Sequence, residues 1–168
     1  MKKKIIFLTM MLLTLFGSVK WNVLNAQDLD GRTFRIKVLQ CNSYNTTEGK
    51  YVTIIDTQDG IISFSTMSDN DHQKFKFTHK EGNQYYIESL SGYSLVCSMN
   101  NVVAQKAQGT PITVQKTTFG ISSYYTLTST LNSKSFDISK LGIAYVLTYY
   151  GDFVAWTLEE VVACTTPA

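Results

Sequence analysis

Several things are scarce in this chain, and each scarcity excludes something. Proline is confined to Pro111 and Pro167, a strand start and the tail, so it interrupts no regular element. Cysteine occurs at Cys41, Cys97 and Cys164 only, and an odd count forbids a complete disulfide framework. No CxxC or Cys/His spacing points to a metal. Cys97 lies in an apolar run, Leu95-Val96-Cys97-Ser98-Met99, and reads as a small buried residue. The two histidines, His72 and His79, stand in no nucleophile–base motif. There is no G-x-S-x-G, no HExxH and no phosphate-cradling glycine loop. Asp69 and Asp71, with Asn70 between them, lack the glycine and distal glutamate of a calcium loop. The expectation is a protein that is not an enzyme and that carries neither metal nor cofactor.

Long apolar runs are also missing. Met1-Lys2-Lys3-Lys4 precedes an apolar stretch from Ile5 to about Val19, which Lys20 and Asn22 end before it could span a bilayer. Leu24-Asn25-Ala26 offers a small-residue cleavage point, so residues 1–26 read as a secretory signal peptide. That segment holds four of the 15 basic residues and no acid, leaving 11 basic against 13 acidic in residues 27–168. The basic balance therefore belongs to the targeting segment, and no case for nucleic acid or an anionic membrane survives its removal. The expected localisation is secreted or periplasmic, with no membrane span after cleavage.

What is present is alternation. Gln73-Lys74-Phe75-Lys76-Phe77 has the two-residue period of a half-buried strand, and no stretch has a convincing helical period. Strand-like segments recur in three groups of four. The first runs 34–38, 51–56, 61–67 and 73–77; the second 85–89, 93–99, 101–106 and 111–116; the third 124–129, 135–139, 143–150 and 153–159. Phe34, Tyr86 and Tyr125 open corresponding strands. Phe75, Val114 and Trp156 hold corresponding apolar places, 39 and 42 residues apart. A polar loop, Gln40 to Gly49, lengthens the first group. A unit of about 40 residues cannot bury its own apolar face, so three must share a core. The fold class is all-β, and closure would remove the exposed sheet edges. A two-sheet sandwich is the alternative, since short strands at this spacing also suit it.

These residues resemble a ricin-type β-trefoil lectin domain, over about Gly31 to Glu160, with repeats at about 31–77, 84–116 and 123–160 of a single domain spanning 27–168. The family's Gln-x-Trp motif looks like Gln73-Lys74-Phe75 and is degenerate as Ile112-Thr113-Val114 and Val154-Ala155-Trp156. Its Leu-Asp-Val motif looks like Ile55-Asp56-Thr57 and Phe136-Asp137-Ile138, and becomes Leu95-Val96-Cys97 in the second repeat. The resemblance implies a β-trefoil that binds glycan or polysaccharide at shallow sites, with the acid accepting hydrogen bonds from sugar hydroxyls and an aromatic ring meeting the sugar's apolar face. Eight residues beyond Asp56 is Phe64, and eight beyond Asp137 is Tyr145, whereas eight beyond Val96 is Ala104. The first and third repeats thus carry the expected carbohydrate sites: Asp56, Phe64 and His72 in one, Asp137 and Tyr145 in the other. The competing places for these residues are the core for Phe64 and Tyr145, and turns for Asp56 and Asp137. The alternative function is a protein-binding trefoil, an inhibitor or interaction module, using the 40–49 loop.

Overall fold

The computed structural model describes residues 28–162, apart from 43, 56–59, 100, 120–121, 142–143, 150 and 152; the side chains of 45, 119, 140–141 and 144–146 are also outside the described residues. The expected signal segment and Cys164 lie outside them too. The strands are β1 (Thr33–Cys41), β2 (Tyr51–Ile55), β3 (Ile61–Ser65), β4 (Phe75–Glu81), β5 (Gln84–Ser89), β6 (Ser94–Cys97), β7 (Val102–Gln105), β8 (Ile112–Phe119), β9 (Ser122–Ser129), β10 (Asp137–Leu141), β11 (Ala144–Thr148) and β12 (Val154–Glu160).

Six of these strands close a ring, entirely antiparallel. β1 pairs with β4 and β12, β5 with β4 and β8, and β9 with β8 and β12. The remaining strands form three hairpins, β2–β3, β6–β7 and β10–β11. Each hangs from one ring strand, through Lys37↔Tyr51, Glu88↔Ser94 and the Thr128↔Ser135 bridge. A six-strand barrel with a three-hairpin cap is a β-trefoil, and ring closure excludes the open sandwich.

The pairing sets the register of the repeats. Phe75 faces Phe34 on one side and Ser89 on the other; Ile112 faces Tyr85 and Ser129; Trp156 faces Tyr125 and Val38. Corresponding positions are therefore Phe34, Tyr85 and Tyr125, and Phe75, Ile112 and Trp156. This corrects two expected equivalences by small slips: Tyr85 replaces Tyr86, and Ile112 replaces Val114. Val114 instead faces Leu127, one core layer deeper with Phe77 and Leu158. All of Phe75, Phe77, Tyr85, Ile112, Val114 and Trp156 are fully buried, as expected of a shared centre. Each large apolar side chain so buried contributes about 1.5–3 kcal/mol.

Val38, Ser89 and Ser129 correspond at the barrel rim, and all are buried. The two serines accept hydrogen bonds from the turns that follow, Ser89 from Tyr93 N–H and Ser129 from Leu131 N–H, each at 3.1 Å. The first repeat has valine there because its strand runs on to Cys41, past a bulge between Val38 and Gln40, into the 40–49 insertion. That insertion is folded rather than loose. Thr47 is buried and donates to Tyr44 O, Glu48 accepts from Cys41 N–H at 3.0 Å, and Gly49 N–H donates to Val38 O.

The hairpins pack on one another where Gly60 meets β7. Ala104 N–H donates to Gly60 O at 2.9 Å, and a Cβ at Gly60 would stand 1.6 Å from Ala104 O. With φ at +53°, only glycine suits this place.

Candidate functional site

The same register relocates the acid motif. With Tyr51, Ser94 and Ser135 in corresponding places, the triplets that match are Val52-Thr53-Ile54, Leu95-Val96-Cys97 and Phe136-Asp137-Ile138. Thr53, not Asp56, is the first-repeat counterpart of Asp137, and Asp56 itself lies outside the described residues. The aromatic positions separate as well. Val52 faces Phe64 and Leu95 faces Ala104, while Asp137 faces Thr148, which sets Tyr149 opposite Phe136. Tyr149, and not Tyr145, corresponds to Phe64. Lys140 faces Tyr145, three residue pairs or roughly 10 Å along the hairpin from Asp137. The ring of Tyr145 lies outside the described residues.

Phe64 is not a sugar platform. It is 7% exposed and stacks on Trp156, with centroids 6.2 Å apart and planes 25° from parallel. Ile62 and Phe64 share the inward face of β3 by strand alternation, and both are buried. Tyr149 is buried likewise, 6.0 Å from the Phe136 ring. In the first repeat the eight-residue spacing thus ends on a core ring.

His72 sits in a 3-10 turn, Asp71–Gln73, that leads into β4. The turn is fixed from below by Gln73, which is 1% exposed. Gln73 Oε1 accepts from Ser68 N–H at 2.7 Å, and Nε2 donates to Thr53 Oγ1 at 2.9 Å, Ser65 Oγ at 2.8 Å and Thr66 O at 2.9 Å. Thr53, the counterpart of the acid, is therefore committed to the scaffold. The residue corresponding to Gln73 in the second repeat is Thr110, whose Oγ1 accepts from Cys97 N–H at 3.1 Å. In the third it is Val154, which has no such capacity.

Above Gln73 lies a charged surface. Asp69 Oδ1 accepts from Arg35 Nη2 at 2.8 Å and lies 3.1 Å from Lys74 Nζ, which also lies 3.4 Å from Asp71. The hydrogen bond and charge of Lys74, with Arg35 adding to them, hold the Asp69 carboxyl below its ordinary value. Ser68 Oγ, His72 Nδ1 and Arg35 Nε are shielded from solvent and have no hydrogen-bond partner among the described residues.

The third repeat presents a different surface. Asp137 is half-buried at the start of β10. A Cβ at Gly151 would stand 2.0 Å from Ile138 O and 3.0 Å from Ile138 N, so the chain at 151 lies against the backbone of Ile138, the residue after Asp137. Two residues further is Phe153, 47% exposed, its ring edge-on to half-buried Tyr124 at 6.4 Å and 88°. Phe153 is three residues before Trp156 as His72 is three before Phe75, so the two occupy one position of the repeat; Gly109 fills it in the second. The sequence reading singled out His72 there and missed Phe153, although the offset to Trp156 carried the signal. Among the described residues no three His, Cys, Asp or Glu side chains gather as a metal site.

No family model matches the chain, and no curated relative matches its sequence. Solved structures do match. The designed three-fold symmetric protein ThreeFoil aligns at TM-score 0.59 and 16% identity, covering 79% of this chain and 100% of that one. The BEL β-trefoil aligns at 0.58 and 16%, covering 79% and 94%. A Polyporus squamosus lectin, solved with a human-type influenza-binding epitope, aligns at 0.58 and 8%, covering 78% of this chain and 49% of the lectin. At these identities the likeness is one of fold, and the fold is the β-trefoil, lectins included.

Proposed function

We propose that the protein is a carbohydrate-binding module rather than an enzyme, with a shallow saccharide site on the third repeat. The observation that carries this reading is the juxtaposition of Asp137 with the turn bearing Phe153: of the three corresponding positions, Thr53, Val96 and Asp137, only the last is an acid. A sugar ring has one CH-rich face and several hydroxyls. The exposed face of Phe153 takes the first, and the carboxylate of Asp137 accepts from the second. Tyr124, edge-on to Phe153, holds that ring in place. Lectins among the structures of the same fold support the ligand class.

Hydrogen bonds to a charged group contribute about 1.5–3 kcal/mol, so losing the charge at Asp137 weakens binding by roughly 10- to 150-fold. One shallow site binds weakly, and useful affinity comes from several modules engaging one polysaccharide. A glycan array probed with the wild-type protein, Asp137→Asn and Phe153→Ala tests the assignment, with near-ultraviolet circular dichroism to verify folding. Loss of signal in both variants is expected. Undiminished signal in both refutes the site. The same reading treats residues 1–26 as an export signal, and N-terminal sequencing of the protein from culture medium or periplasm is expected to begin at Gln27.

A further inference from the structure

The charged surface of the first repeat has an asymmetry that a structural ion pair does not require. The cations are the covered partners: the side chains of Arg35 and Lys74 are 15% and 14% exposed, whereas Asp69, which joins them, is 89% exposed. Glu159, in register with Arg35 across the β1–β12 pair, is taken up by Lys37 Nζ at 2.9 Å and Tyr51 Oη at 2.7 Å. Asp69 is therefore the one carboxylate hydrogen-bonded to Arg35 among the described residues. It is attached by a short side chain standing in solvent.

We propose that this face is a second saccharide site, selective for a sugar bearing a carboxylate, in which the ligand's carboxylate replaces that of Asp69 between Arg35 and Lys74. The inference rests on the saccharide reading above and adds to it the ligand class of a separate face. Exchange of one carboxylate for another conserves the local charge, and the released Asp69 returns to water. Lys74 keeps Asp71 throughout. A planar carboxylate suits the guanidinium fork of Arg35. The three unpaired polar atoms explain why the ligand is a sugar rather than a simple anion. Arg35 Nε, together with Ser68 Oγ and His72 Nδ1 on the residues beside Asp69 and Asp71 in sequence, has no partner among the described residues. Ring hydroxyls beside the incoming carboxylate meet them. The base of the site is rigid, because Gln73 holds the turn from beneath through Ser68 N–H and Thr66 O.

The test is calorimetric titration of the full chain with trigalacturonate and with its carboxyl-reduced, neutral counterpart. The acidic trimer is expected to bind at least about tenfold more tightly. Asp69→Asn, a solvent-exposed change that removes the internal competitor, is expected to tighten the acidic trimer several-fold and leave the neutral one unchanged. Arg35→Gln is expected to bring the acidic trimer down to the neutral level. Equal binding of the two trimers, or weaker binding by Asp69→Asn, overturns the proposal. If array glycans still bind through Asp137, this face alone is refuted; if no saccharide binds anywhere, the saccharide reading falls with it.

Discussion

Replacing Gln73 with leucine separates the scaffold role of this residue from any role in binding. Leucine nearly conserves the volume, so the cavity contribution is small. What changes is polar. Ser68 N–H loses its acceptor at 2.7 Å, and Thr66 O loses a donor. Thr53 and Ser65 still bond each other at 2.7 Å, and exposed Thr66 has water to turn to. One part-buried N–H is thus orphaned, at about 1–3 kcal/mol, and the lost net bonds add about 1 kcal/mol more. The expected cost is about 2–4 kcal/mol, a large share of the ~5–15 kcal/mol typical of a domain. Thr110→Val, at the corresponding place, removes one acceptor for Cys97 N–H and is expected to cost about 1–2 kcal/mol. Urea denaturation followed by tryptophan fluorescence gives both values, with equal slopes required for the comparison. A cost below about 1 kcal/mol for Gln73→Leu, or one smaller than that of Thr110→Val, would refute the claim that this amide anchors the turn.

Other perturbations have outcomes fixed by the geometry. Gly60→Ala drives a methyl group into Ala104 O in a left-handed backbone and is expected to cost several kcal/mol; Gly49→Ala, with open space around it, is expected to cost about 1 kcal/mol in the same melts. Burial raises the Glu159 carboxyl, but hydrogen bonds from Lys37 and Tyr51 outweigh it, and the net value lies below the ordinary 4.5. Its stabilising contribution is therefore present above about that pH and lost as pH falls through the folded-state value. A pH series of melting temperatures is expected to fall less steeply at the acid end in Glu159→Gln. Cys41 and Cys97 are buried free thiols, and burial raises Cys97 above its ordinary value. In a Cys164→Ser background a thiol reagent at neutral pH is expected to label neither quickly until urea is added; rapid labelling of the native protein contradicts the packing.

The architecture was legible because alternation survives degeneracy of individual motifs. Every expected strand group appears, and ring closure decides between the barrel and the sandwich that the same spacing allowed. Register was less legible, for a definite reason. Ile112 and Val114 are both apolar and both inward, so a two-residue period cannot choose between them; only the ladders to Tyr85 and Ser129 do. Ile55-Asp56-Thr57 outweighs Val52-Thr53-Ile54 in the sequence because it alone carries a carboxylate, whereas the fold follows the pair Lys37↔Tyr51. That slip produced the apparent partnership of Asp56 with Phe64. Asp137 was identifiable because its neighbours Phe136 and Ile138 are both core residues that fix its outward phase. The Arg35–Asp69–Lys74 cluster was not, since Arg35 comes from a strand 34 residues away from Asp69.

The seam between β1 and β12 runs through seven residue pairs and is extended by Val161 N–H to Thr33 O. The first strand of the barrel thus waits for the last. A growing chain has synthesised almost everything before it can seal, and until then β1 and β9 each show an unsatisfied edge. Folding is consequently a late, long-range event, slow by the standard of proteins whose neighbours in space are neighbours in sequence. Truncation before residue 154 leaves not a smaller trefoil but an unsealed one, with two adhesive margins facing the solvent.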